Sequence, residues 1–148
     1  MTKIIFLFKV FILYLFFFSN SYAKSSTSFF EQGKELFEKK KYDESKIFFQ
    51  RDIVFNPKNE RSYLYLAKIF EENDNVEEEE IKLNNVLLLN STNDEALYMM
   101  ILLKIKKSDY HSARSLIEKF NLVCNSFCSK KSEIDEKFSK LIPDNDKN

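Results

Sequence analysis

Apolar residues recur along this chain at helical intervals, and the pattern as a whole recurs every 34 positions. Stepping by 34 takes Phe29 to Tyr63 and Leu97, and Gly33 to Ala67 and Ile101. It takes Tyr42 to Val76 and Tyr110, and Phe49 to Leu83 and Ile117. Each unit holds two apolar-periodic stretches, with one polar break between them and another at the end. In the first unit the spacing predicts a helix from Ser28 to about Lys40, with Phe29, Phe30, Leu36 and Phe37 on its apolar side. A second is predicted from about Asp43 to Phe55. Lys39-Lys40-Lys41 sets cations at the negative pole of the first helix. Asn56-Pro57 ends the second, because proline disfavours helical geometry in the residue before it. In the second unit Asn59 is a candidate N-cap for a helix to about Glu72. Asn73-Asp74-Asn75 is the turn, and Val76 to Leu89 the partner. The third unit predicts Asn93 to Lys107, a turn and cap at Ser108-Asp109, and Tyr110 to about Val123.

After Cys128 the pattern changes. Ser132-Glu133-Ile134-Asp135 has the form of a capping box with Asp in the last position, and Ile134, Phe138, Leu141 and Ile142 share a face. The expectation is a final helix, about Ser132 to Ile142, that covers the exposed end of the stack, since such arrays need a terminal element with a polar outer face. Residues 143–148 are expected to form a disordered tail. A period of this size signals stacked supersecondary units, and three units satisfy the minimum for a shared core. The expected fold class is therefore all-α, with hairpins at 28–58, 59–92 and 93–123 and a capping segment at 129–142. One glycine and two prolines in 148 residues agree, because tight strand hairpins lean on both. The middle unit is expected to be the weak link, since Glu77 to Glu80 interrupts the packing face of its second helix.

These repeats resemble the tetratricopeptide family, whose unit is a helix–turn–helix of about 34 residues. The first unit carries the resemblance best. Gly33 stands at the small position of its first helix, Tyr42 at the aromatic that opens its second, and Ser45 at the small position of that second helix. Phe49 fills the large position and Pro57 closes the unit. Small residues belong there because helices crossing at about 8 to 10 Å leave no room for large ones. The other units depart: Ile101 and Glu79 replace small residues, Ser91 and Asn125 replace the proline, and Asp52 stands where the family prefers alanine. The resemblance implies a short right-handed superhelix and a non-catalytic scaffold whose partner is a protein or peptide. It also implies a concave groove lined by the first helix of each unit: Phe30, Lys34 and Phe37; then Leu64, Tyr65 and Lys68; then Tyr98, Met99 and Leu102. The alternative for several of these is packing on the final helix or a neighbouring unit. The lysine and asparagine pattern with which chaperone adaptors clamp a terminal carboxylate is absent.

The N-terminus changes the picture of location. It reads MTKIIFLFKVFILYLFFFSNSYAK, with Lys3 as a positive start, an apolar run from Ile4 to Phe18, and small residues at Ser21 and Ala23. That order is a secretory signal peptide cut after Ala23, which implies an exported protein, periplasmic, secreted or at the cell surface. The alternative is an uncleaved anchor, and membrane contact is expected only through residues 1–23 in that form. A spanning helix wants about 20 apolar residues, whereas this run has 15 positions and includes Lys9. Without residues 1–23 the chain holds 21 basic and 23 acidic side chains, which gives no electrostatic reason to expect nucleic acid.

The remaining candidates for chemistry are few. Glu71-Glu72-Asn73-Asp74-Asn75 with Glu77 to Glu80 is acidic, but it lacks the glycine and alternating ligands of a calcium loop and reads as a solvated turn. Cys124 and Cys128 are four apart, a spacing that permits a disulfide and leaves free or intermolecular thiols open. A structural zinc wants four ligands, and His111 is the only histidine. No metal, no cofactor and no catalytic constellation is expected. Lys104, Lys106 and Lys107 read as a helix end. Two further readings stand beside the scaffold: a membrane-tethered assembly factor of the cell envelope, and a small metal or redox protein using His111, Cys124 and Cys128.

Overall fold

The computed structural model describes residues 28–140; the expected signal peptide with its cut after Ala23, and the expected end of the final helix at Leu141 and Ile142 with the tail beyond it, lie outside the described residues. The described residues form α1 (Phe29–Glu38), α2 (Tyr42–Phe55), α3 (Glu60–Glu72), α4 (Val76–Leu89), α5 (Asp94–Lys106) and α6 (Tyr110–Val123). A 3-10 turn, Cys128–Lys130, leads into α7 (Lys131–Ser139). There is no strand among the described residues. The helices pair as hairpins, α1 with α2, α3 with α4 and α5 with α6, while α2 packs on α3 and α4 on α5 to join the units. The result is an all-α stack of three helical hairpins, with α7 laid against α5 and α6.

Backbone chemistry repeats with the sequence. Each hairpin turn passes through one residue with positive φ, at Lys40, Asp74 and Ser108, again 34 apart. In each turn two amides reach back over the helix end. Lys41 N donates to Leu36 O (2.9 Å) and Lys40 N to Phe37 O (2.8 Å), and the same pair recurs at Asn75 with Asp74 and at Asp109 with Ser108. This is the Schellman arrangement, which satisfies carbonyls the helix leaves unpaired. Side-chain caps hold the N-termini of α1, α4, α5 and α6, where Ser28, Asn75, Asn93 and Asp109 accept from amides three residues on.

Two expected caps are not formed. Asn59 makes no cap bond for α3; its amide donates instead to Asp52 Oδ2 (2.6 Å) and Ser62 Oγ (3.2 Å). Asp52 is buried at the junction of the first two units, and it also accepts from Ser62 Oγ (2.5 Å) and Asn56 Nδ2 (3.1 Å). A buried carboxylate must find donors, and Asn59 is taken by that requirement. The capping box at Ser132 is also absent, because α7 opens at Lys131 and Lys130 supplies no side-chain cap.

The core runs through the stack as three clusters. Leu66 and Ile69 join Phe30 and Phe49; Leu64, Ala67, Leu83 and Val86 join Ala96, Met99 and Met100; Leu97, Ile101 and Phe120 join Ile134 of α7. The first hairpin shows why its small residue is small. A Cβ on Gly33 would lie 2.9 Å from Cε1 of the buried Phe49 ring, and Ser45 Oγ donates to Gly33 O across 2.8 Å. Acidic side chains fasten the later junctions. Glu60 accepts from Asn90 Nδ2 (3.0 Å), while Asp94, 34 positions later, accepts from the amides of Asn125 (2.8 Å) and Phe127 (2.9 Å). The acidic run also takes part in this: Glu80 accepts from Lys104 and from Lys107, each at 2.5 Å, and Asp74 pairs with Lys106. Two of the acids of that run, Glu80 and Asp74, thus bond unit two to unit three.

Candidate functional site

The residues expected to line a groove sit on α1, α3 and α5, and the structure sorts them into three groups. Phe30, Leu64 and Met99 are 4, 7 and 5% exposed and are core side chains. Lys34, Phe37, Tyr65, Lys68 and Leu102 are half-buried and retain open surface. Tyr98 is half-buried as well, but the C-terminal segment lies over it.

Four of the second group, Lys34, Phe37, Tyr65 and Lys68, lie on α1 and α3 and form an aromatic and cationic face, while Leu102 lies apart on α5. The Tyr65 ring lies 5.0 Å from Phe49, 5.1 Å from Phe37 and 5.6 Å from Phe30, centroid to centroid. Phe37 also meets Tyr42 at 5.2 Å. Tyr65 is thus a wall shared by α1, α2 and α3 rather than a free surface side chain. Lys68 Nζ stands 4.9 Å over the Tyr65 ring and pairs with Glu95 of α5 at 2.6 Å. Lys34 is more open, 3.8 Å from Glu38. Arg61 completes the patch, its guanidinium 4.1 Å over the Phe30 ring. Cations over aromatic faces gain from the ring quadrupole. Arg61 and Glu95 were not among the expected residues; the four-residue step from Arg61 to Tyr65 along one helix face was legible, whereas both of their partners sit on other helices.

At the third unit α7 changes the geometry. The Tyr98 hydroxyl donates to Glu133 Oε1 (2.8 Å), its ring meets Phe127 at 5.8 Å, and Lys130 Nζ lies 5.4 Å over it. Glu133 also receives Lys130 (2.8 Å) and Lys137 (3.1 Å). Hydrogen bonds from Lys130, Tyr98 and Lys137 hold the Glu133 carboxyl down at about 2, and burial with Glu133 beside it pushes the Tyr98 phenol up. The open part of the candidate groove is therefore the face of α1 and α3, bounded at the far end by this latch.

The other candidates fall elsewhere. Cys124 and Cys128 are joined as a disulfide with Cα atoms 5.2 Å apart. His111 is the second residue of α6 and Cys124 follows its end, so at 1.5 Å per residue about 20 Å of helix separates them. His111, exposed, lies at the rim of a shallow cleft of about 380 Å³ floored by Leu87, Met100 and Leu116.

The fold is that of tetratricopeptide domains. It is similar to the TPR2B domain of yeast Sti1 in a complex with pHsp70, at 20% identity and a TM-score of 0.64 over 74% of this chain and 89% of that one. It is similar to the first TPR of Spaghetti (RPAP3) bound to the HSP90 peptide SRMEEVD, at 17% identity and a TM-score of 0.68, covering 76% and 90%. The second TPR domain of human RPAP3, in complex with the HSP70 peptide SGPTIEEVD, matches at 18% and 0.65 over 77% and 92%. No protein-family model and no curated protein matches the sequence.

Proposed function

We propose that the protein is a non-catalytic scaffold that holds a protein or peptide segment against α1 and α3, with Phe37 and Tyr65 as the apolar wall and Lys34 and Lys68 as the polar rim. The observation that carries this is the half-buried pair of rings, Phe37 and Tyr65, flanked by cations, in a fold whose similar domains hold peptides in their complexes. Large aromatic surface with a charged rim is the composition of binding hot spots, and a groove between helices suits an extended or helical segment with apolar anchors. The peptides SRMEEVD and SGPTIEEVD, each with an acidic end, are a poor guide to the ligand of this chain. Lys68 is already paired with Glu95, and the carboxylate-clamping pattern is missing. Peptides selected from a random displayed library on the full chain should lose binding to Lys34→Glu and Lys68→Glu, and SRMEEVD should not compete. Selected peptides indifferent to both substitutions would sink this reading.

Export belongs to the same proposal and rests on the order of charge, apolar run and small residues in residues 1–23. A mature N-terminus at Lys24, found by sequencing protein from the cell envelope, supports it. An N-terminus at residue 1 in a membrane fraction favours the tethered assembly factor instead.

A further inference from the structure

The face formed by α1 and α3 carries charge of both signs, and its order along α3 bears on what can lie there. Arg61, Tyr65, Lys68 and Glu72 follow one another at steps of four, three and four, which sets them on one stripe of the helix. Glu71 borders that stripe at its far end. Most of the remaining charges on the two helices are already answered. Lys39 pairs with Glu35 (2.6 Å), Lys68 pairs with Glu95 (2.6 Å), Lys34 lies 3.8 Å from Glu38, and Glu60 accepts from Asn90. Glu31 stands 34 places before Tyr65, whose ring packs on Phe30, Phe37 and Phe49 of the preceding unit. Glu31 therefore faces the outer end of the stack, away from α3.

Three charges are left over. Arg61 is exposed over the Phe30 ring and makes no ion pair with a described residue. Glu71 and Glu72 are exposed at the opposite end of α3, and no described cation, Lys40 of the first turn included, lies within ion-pair distance of either. Desolvation and then the charge of Glu72 push the Glu71 carboxyl up, and the pull of Lys68, Lys106 and Lys137 does not reverse this. Those lysines are each paired with another acid: Glu95, Asp74 and Glu133. The stripe thus has a positive end and a negative end. Between them its charges are closed on each other, beside the rings of Tyr65 and Phe37.

Resting on the groove reading above, we propose that the ligand is a bipolar segment, with an acidic side chain at one end, a basic one at the other and an uncharged apolar stretch between. The acid meets Arg61, an aromatic or aliphatic side chain lies on Phe37 and Tyr65, and the lysine or arginine meets Glu71 and Glu72. Eleven residues of α3 separate Arg61 from Glu72, about 16 Å of helix. An extended chain covers that distance in about five residues. A segment of one sign brings like charges together at one end or the other, and that repulsion selects against it. A charge in the middle would have to break the pair of Lys68 with Glu95. SRMEEVD fails there, with adjacent glutamates between its arginine and its aspartate, and SGPTIEEVD has no base.

Short random peptides displayed in a library and panned on the full chain supply the probe. The expected consensus is one acid and one base about five residues apart, with an apolar residue and no charge between them. Synthetic copies with blocked, uncharged ends should bind several-fold more weakly to Arg61→Glu, to Glu71→Lys with Glu72→Lys, and to the unaltered protein in rising salt. Panning on the variant that combines all three changes should return the two charges in the opposite order along the peptide. A consensus of one sign overturns the proposal. So do binders weakened by Lys34→Glu and Lys68→Glu but unmoved by the changes at Arg61, Glu71 and Glu72; that result leaves the groove standing. Binders indifferent to every one of these changes, or no binder at all, remove the groove and this proposal with it.

Discussion

Lys40, Asp74 and Ser108 occupy left-handed backbone that glycine enters freely and other residues enter at a cost of about 1 kcal/mol. Lys40 and Ser108 are exposed, so Lys40→Gly and Ser108→Gly should each raise stability by about 0.5–1 kcal/mol in urea unfolding. Gly33 is the opposite case. Alanine is the better helix former, but its methyl would meet the fully buried Phe49 ring, and overpacking of about 1–3 kcal/mol outweighs the gain in propensity. Gly33→Ala should therefore lower the urea midpoint. Asp52→Ala would strand the Ser62 hydroxyl and the Asn59 amide, at about 1–3 kcal/mol. The later units stand as a built-in control: the matching positions hold Val86 and Ala96, both buried. Asp52→Val with Ser62→Ala should then cost less than the two single changes added together.

At the scale of the helix, α4 carries the least expected burial. Glu79 lies inside its hairpin, and burial first, then the charge of Glu71, pushes its carboxyl up to about 7. Asp74 and Glu80 push the same way, and Lys106 opposes them. A carboxyl raised in the folded state binds more protons there than when unfolded. Its effect is fully favourable below the unfolded value of about 4.5 and is lost as pH rises towards 7. The melting temperature should accordingly fall between about pH 5 and 7.5, and Glu79→Gln should flatten that slope. Glu133 works in the opposite sense: its depressed carboxyl stabilises above about pH 4.5, and that contribution disappears as pH falls through about 2. The disulfide closes a loop of few residues, so Cys128→Ser should cost only about 1–2 kcal/mol. The loss should show as faster amide exchange in α7, since the bridged segment seats Phe127 against Tyr98.

Among the described residues the main packing joins each unit to its neighbours, so stability is close to a sum of unit and junction terms. The junction of units two and three is clasped by Glu80 with Lys104 and Lys107, and unit two holds its one buried acid at Glu79. Native-state hydrogen exchange should find α3 and α5 slowest, for they carry the most fully buried residues and pack on both sides. α4 should exchange faster than either; slowest exchange from Val76 to Leu89 would show that the acidic run costs nothing.

The linear pattern was enough to place the elements and their order. A repeated apolar stripe fixes helix positions because helical burial has a period the chain can carry locally, and α4 and α6 begin and end where that stripe does. The Schellman turns follow from the same 34-residue step. Packing between helices settled which side chains stay open. Asn59 left its cap for an acid seven residues away, Tyr65 was walled in by rings from two other helices, and Tyr98 was latched by a glutamate 35 residues on. Those outcomes depend on contacts between elements, whose distances a linear pattern does not encode. A periodic stripe can say that a helix has an inner face; only the packed stack says how much of its flank remains for a partner.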